Sequence, residues 1–198
     1  MRELEEFKKK NGQNKESRTM KEIQIVDLLR YYVCWNDTEK VLIEGIQNYD
    51  LKAFYNYLVY MKIIRNFKKG SANQILEIAK TFDNKTAEDV CRLSDKLYSK
   101  KVLAKNNKNA IVASSKILWA FNHDRIIIDS INKKKLKLNT ENINDYSEFC
   151  SMWVKEYERQ RNNIDKIIDK HNLLKIDAIF AEEWFKKRVF DLYLIYLK

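Results

Sequence analysis

Residues 105–135 read KNNKNAIVASSKILWAFNHDRIIIDSINKKK: a polar turn, an apolar helix, a short apolar link and the start of another helix. Within 110–122, Ala110, Ala113, Ile117, Ala120 and Phe121 form one stripe at helical spacing. Val112, Lys116 and Trp119 form a neighbouring one. A helix apolar nearly all round is a central, buried element. Lys116 is its odd residue, because an unpaired buried ammonium is strongly disfavoured. It snorkels to the surface, pairs with a carboxylate or takes part in chemistry. The preceding turn contains Lys105, Asn107, Lys108 and Asn109. Asn tolerates left-handed backbone, and a helix N-terminus offers free N–H groups, so the turn is either an ordinary solvated one or a phosphate seat. After the helix, the β-branched run Ile126, Ile127, Ile128 forms a buried link to Asp129, a good N-cap for the next helix.

Composition agrees with an all-α chain. Among 198 residues Pro is absent and Gly12, Gly45 and Gly70 are the only glycines, where average usage is roughly 5% Pro and 7% Gly. Turns and hairpins draw on both residues, and helix interiors exclude them. The expected architecture is therefore one compact multi-helix array of about nine or ten helices, with turns made of Asn, Asp, Lys and Ser. With 45% hydrophobic and 33% charged residues, a packed core and a wet surface are both available.

The formal charge is +10. A basic balance favours polyanions, but Lys, Asn and Ile are also what an AT-rich genome encodes by default, so clustering has to decide between the two. Cys34, Cys91 and Cys150 are scattered, without C-x-x-C spacing, and His123 and His171 are the only histidines. These suggest reduced thiols in a cytoplasmic protein and no metal or cofactor site. No apolar run approaches the ~18 residues of a membrane span, so no membrane partner is expected.

Along the chain, residues 1–20 are polar and read as a frayed arm, and residues 21–198 as a single helical domain, with the hairpin-like core at 105–137. Helices are expected over 21–35 and 37–48, then from a cap at Asp50 to about 68. Ser71 is expected to cap 72–82, and further helices cover 86–98, 110–122, a stretch opening at Asp129, 145–171 and 176–197.

Turn, helix, short apolar link and an aspartate opening the next helix resemble the core of the helix-hairpin-helix DNA glycosylase superfamily. Asn107-Lys108-Asn109 falls on the family's glycine hairpin, Ala113 on its small helix residue, Ile126–Ile128 on its apolar link, and Asp129 on its catalytic aspartate. The run ASSKILWAFNHDRIIIDS also looks like the 8-oxoguanine-glycosylase-like branch of small bacterial proteins, some of them acting in phage defence. The likeness is close over about thirty residues. Both hairpin glycines are replaced by Asn107 and Asn109. The Schiff-base lysine of bifunctional members falls here on Ala110 or Ile111, which implies a monofunctional enzyme unless Lys108 or Lys116 reaches the site.

The resemblance implies a monomeric enzyme on double-stranded DNA. It flips a modified or damaged base from the stack, and Asp129 stabilises the oxocarbenium-like sugar as the N-glycosidic bond breaks. Lys116 is the second catalytic candidate. Lys105, Asn107, Lys108, Asn109, Lys133, Lys134 and Lys135 are candidates for DNA phosphates, and Tyr31, Tyr32, Trp35 and Trp119 for base-pocket walls, core packing being the alternative for each aromatic. Lys68-Lys69 and Lys186-Lys187-Arg188 read as solvated faces. The competing readings are a non-catalytic DNA-binding protein, a toxin or interaction module of a defence locus, and a scaffold whose charge is genomic bias.

Overall fold

A computed structural model describes residues 22–82, 86–104, 109–136 and 146–196. The first element of the described residues is one long helix, α1, in which Ile25–Cys34 continues through a π turn at Trp35–Glu39 into Lys40–Gln47. There follow α2 (Leu51–Tyr60), α3 (Ala72–Lys80), α4 (Glu88–Ser99), α5 (Ile111–Phe121), α6 (Ser130–Lys135), α7 (Tyr146–Lys170) and α8 (Glu183–Tyr196). The described residues thus form eight helices and no strand, and the all-α class holds.

The two helices expected over 21–35 and 37–48 are one. Asp37 does not start a helix: the Lys40 N–H reaches back to the Trp35 carbonyl, the wide bond of a π turn. Trp35 and Glu39, at either end of that turn, are both buried. Asp50 caps α2 as expected, accepting from the Lys52 N–H at 2.8 Å. Ser71 does not cap α3 with its side chain; its hydroxyl donates to the Lys68 carbonyl at 2.7 Å instead.

Few glycines are available to end the helices. Tyr49, Lys62, Lys101 and Asn172 take left-handed backbone just beyond α1, α2, α4 and α7, where glycine is the usual choice. Gly45 has a different purpose. A Cβ there would collide with the Ala53 Cβ, so its absence lets α1 and α2 pack closely.

The helix α5 occupies the centre. Ala113, Ile117, Leu118, Trp119 and Ala120 are buried, and α5 packs against α4 and the second half of α1. On its other side, α8 packs against α1, α6 and α7. The link 122–128 is stitched to its surroundings. The Ile128 N–H donates to Ser115 Oγ (3.1 Å), and Tyr146 Oη donates to the Ile126 carbonyl (2.6 Å). These bonds fix where Asp129 emerges.

Candidate functional site

Asp129 caps α6, its Oδ1 accepting from the Ile131 N–H at 2.9 Å. Its other oxygen, Oδ2, accepts from Lys116 Nζ at 3.1 Å. The Lys116 ammonium also donates to the Met61 carbonyl at 3.2 Å. Of the three fates open to Lys116, it takes the ion pair. The two side chains keep 12% and 18% of their exposure, so the pair is screened from bulk water without being sealed off.

The pair forms the floor of an open cleft of about 440 Å³. One wall is the first turns of α5 (Asn109 to Ala113); the opposite wall is the turn after α2, with Lys62, Ile63, Arg65 and Asn66. Lys62 lines the cleft from a left-handed backbone position just beyond α2. Antiparallel contact fixes the segment beyond: Phe67 pairs with Leu103, the Lys68 N–H donates to the Val102 carbonyl and the Ala104 N–H to the Asn66 carbonyl. Lys62, Arg65 and Lys116 therefore gather three cations around one carboxylate beside a helix N-terminus, a setting that favours anions.

Behind the pair lies a buried charge network. Arg188 Nη2 donates to Glu39 Oε1 (2.8 Å) and Nη1 to Asp191 Oδ2 (2.6 Å). Asn132, one turn beyond Asp129, donates its amide to Asp191 Oδ1. Tyr31 and Tyr60 donate to Glu39 at 2.9 and 3.0 Å, and the guanidinium lies over the Trp119 ring. Glu39, Arg188, Asp191 and Asn132 are all buried. Burial raises the Asp191 carboxyl to about 6, against the pull of Arg188. Burial also works against the Arg188 charge, but Glu39 and Asp191 outweigh it and hold the group protonated.

The structure brings Lys116, Asp129 and Asn109 to one cleft. Lys105, Asn107 and Lys108 lie outside the described residues. Lys134 is exposed and Lys135 half-buried at the end of α6. Lys133 is a correction to the phosphate set: it is buried, and burial pushes its ammonium below the usual lysine range. The expected base-pocket walls are a second correction, for none of them lines the cleft. Tyr31, Trp35 and Trp119 are core residues, Tyr31 because its hydroxyl finds Glu39 inside. Tyr32 is half-buried, bonded to Asp177 and packed against Phe180. Arg188 and Lys186 are not on a solvated face either, since Lys186 pairs with Asp165 at 2.6 Å with 14% exposure.

Sequence reasoning missed Lys62, Arg65 and Asn66, and the buried Glu39, Arg188 and Asp191. The first three carried one usable signal, a basic cluster continuing into Lys68-Lys69. Among the described residues no group of three or more His, Cys, Asp or Glu is placed to hold a metal ion, and no helix is long and apolar enough to cross a membrane. No protein-family model matches the chain, nor does any curated protein or solved structure.

Proposed function

We propose that the chain is a DNA glycosylase that removes a modified or damaged base by hydrolysing its N-glycosidic bond, with Asp129 as the catalytic carboxylate. The observation that carries this reading is the Lys116–Asp129 pair on the floor of an open, cation-lined cleft. A carboxylate held by two donors has a fixed direction. Facing a deoxyribose, it stabilises positive charge growing at C1′ and accepts a proton from the attacking water. The water oxygen bonds to C1′, the C1′–N bond breaks, and the base leaves with the bonding pair. Lys62, Arg65 and the first turn of α5 would hold the flanking phosphates.

Lys116 is the positioning partner in this scheme. Its Nζ donates to Asp129 and to the Met61 carbonyl, so the atom a Schiff base would need is engaged in positioning the carboxylate. The product is therefore an intact abasic site.

The test is incubation with DNA rich in damaged or hypermodified bases, phage genomic DNA included, followed by alkali. Alkali-labile sites are expected with the native chain and absent with Asp129→Asn. A specific observation favours a second reading, non-catalytic DNA binding: both Asp129 oxygens already have structural partners. That reading predicts salt-dependent binding by both proteins and no labile sites from either.

A further inference from the structure

At the other end of α5 from the cleft, a second opening of about 510 Å³ lies among the α1–α2 turn, the end of α3, the residues after α5 and the start of α8. Its walls are mostly rings: Tyr49, Phe82, Phe121, His123 and Trp184. His123 is held between Trp119 and Trp184, with ring centroids 4.7 Å from each, and Trp35 meets both His123 and Trp184. Burial pushes the His123 imidazole below its ordinary range, so it is a neutral aromatic surface at pH 7. The polar groups of the rim are of both kinds. Lys80 reaches over the Tyr49 ring at 4.1 Å. Asp124 is mostly exposed, with Lys187 4.0 Å away.

We infer that this pocket is a nucleobase site, one that takes an unpaired base of a DNA strand. A flat ring is the shape its aromatic walls accept, and stacking on such walls is tolerant of base identity. The charged groups of the rim are already paired, Lys80 with Glu77 at 2.7 Å and Asp124 with Lys187 at 4.0 Å, so the choice of ligand rests on the aromatic walls. The opening lies in the ordinary size range of small-ligand sites. A strand rather than a free base is the occupant we favour because the proposed function is DNA-acting and Lys80 and Lys187, each beside a carboxylate, stand near the opening. The inference rests on the reading of the chain as DNA-acting, and not on its excising anything.

The chain carries its own reporter. Trp35, Trp119 and Trp153 are buried, so Trp184 is the one half-buried tryptophan of four. Titration with a short single strand of ordinary bases is expected to quench Trp184 emission. A strand of equal length made of abasic residues should leave it unchanged and bind about tenfold more weakly. Trp184→Leu removes the signal and should weaken the base-bearing strand about tenfold. Tyr49→Asn, at an exposed position, should weaken it severalfold and guards against a folding defect in the first variant. Equal binding of the two strands with no change in Trp184 emission overturns the inference. Quenching by dAMP as tight as by the strand would keep the nucleobase site and overturn the strand as its source. Because the strand is undamaged, these outcomes are independent of whether labile sites are ever found.

Discussion

Lys116 Nζ lies 3.1 Å from Asp129 Oδ2, across thirteen positions of sequence and between two helices. The contact depends on the link 122–128 turning back along α5, where Ser115 Oγ receives the Ile128 N–H. The lysine that was out of place on an apolar helix and the aspartate that looked like a simple cap are one unit.

That unit has a measurable coupling. Asn caps a helix as well as Asp does, so Asp129→Asn should keep α6 and lose only the charge. Lys116→Met keeps the volume and loses the cation. In a double-mutant cycle by urea denaturation, the two changes are expected to couple by about 1 kcal/mol or more, whereas independent sites add to within roughly 0.5 kcal/mol. Strict additivity would mean the pair is not formed in solution.

The buried network behind the pair makes a stronger demand. Arg188 is paired with both Glu39 and Asp191. Arg188→Met leaves two carboxylates without it, and breaking a buried pair costs about 3–5 kcal/mol. Chemical denaturation should show a loss of that order. A loss under 1 kcal/mol would contradict the network.

Asp191 predicts a pH dependence of definite sign. Its folded value of about 6 stands above the ordinary 3.8. Between those values the folded chain keeps the proton and the unfolded chain releases it. The stability this contributes is full below pH 4 and is lost as pH rises through about 6. Asp191→Asn removes the dependence. Subtracting the variant's stability profile from that of the native chain should reveal a decline from pH 4 to 7, and a difference curve that rises would contradict the assignment.

How far the sequence leads is clear from these particulars. The buried character of α5, the cap at Asp129 and the three options for Lys116 follow from local spacing, which periodicity reports directly. The π turn does not follow, because one wide turn leaves no mark on an apolar pattern. Nor does the network, since Glu39 and Arg188 are 149 positions apart and a run such as Lys186-Lys187-Arg188 looks like surface. The aromatic walls failed for a related reason. A buried tyrosine with a carboxylate partner cannot be told by sequence from one facing a ligand. Lys62 and Arg65 escaped because their place beside α5 depends on tertiary pairing of Phe67 with Leu103.

The helix ends give a stability prediction that touches no site. Lys101 sits at φ 55°, just after α4, with its N–H bonded to the Tyr98 carbonyl and the Val102 N–H to that of Leu97. A left-handed residue with a side chain carries about 1 kcal/mol of strain that glycine relieves. Lys101→Gly should raise Tm by about 2–4 °C for a chain of this size. A fall in Tm would show that the side chain contributes more than its backbone strain costs.

Salt dependence tests the cleft as a phosphate channel. Each neutralised phosphate contributes about 0.9 to the slope of log K against log salt on duplex DNA. Lys62→Ala with Arg65→Ala should lower that slope by about 2 and weaken binding to all sequences alike. An unchanged slope would place the DNA elsewhere on the molecule.

The most direct test of the account is the release of free base. Duplex DNA carrying modified bases is incubated with excess protein, and the small-molecule fraction is analysed by mass spectrometry. The native chain is predicted to release a base and leave an abasic strand that is not trapped by borohydride. Asp129→Asn should bind the same DNA and release at least a hundredfold less. Undiminished release by Asp129→Asn, or binding without release by the native chain on every modified DNA tried, would contradict the assignment of Asp129 as the catalytic carboxylate.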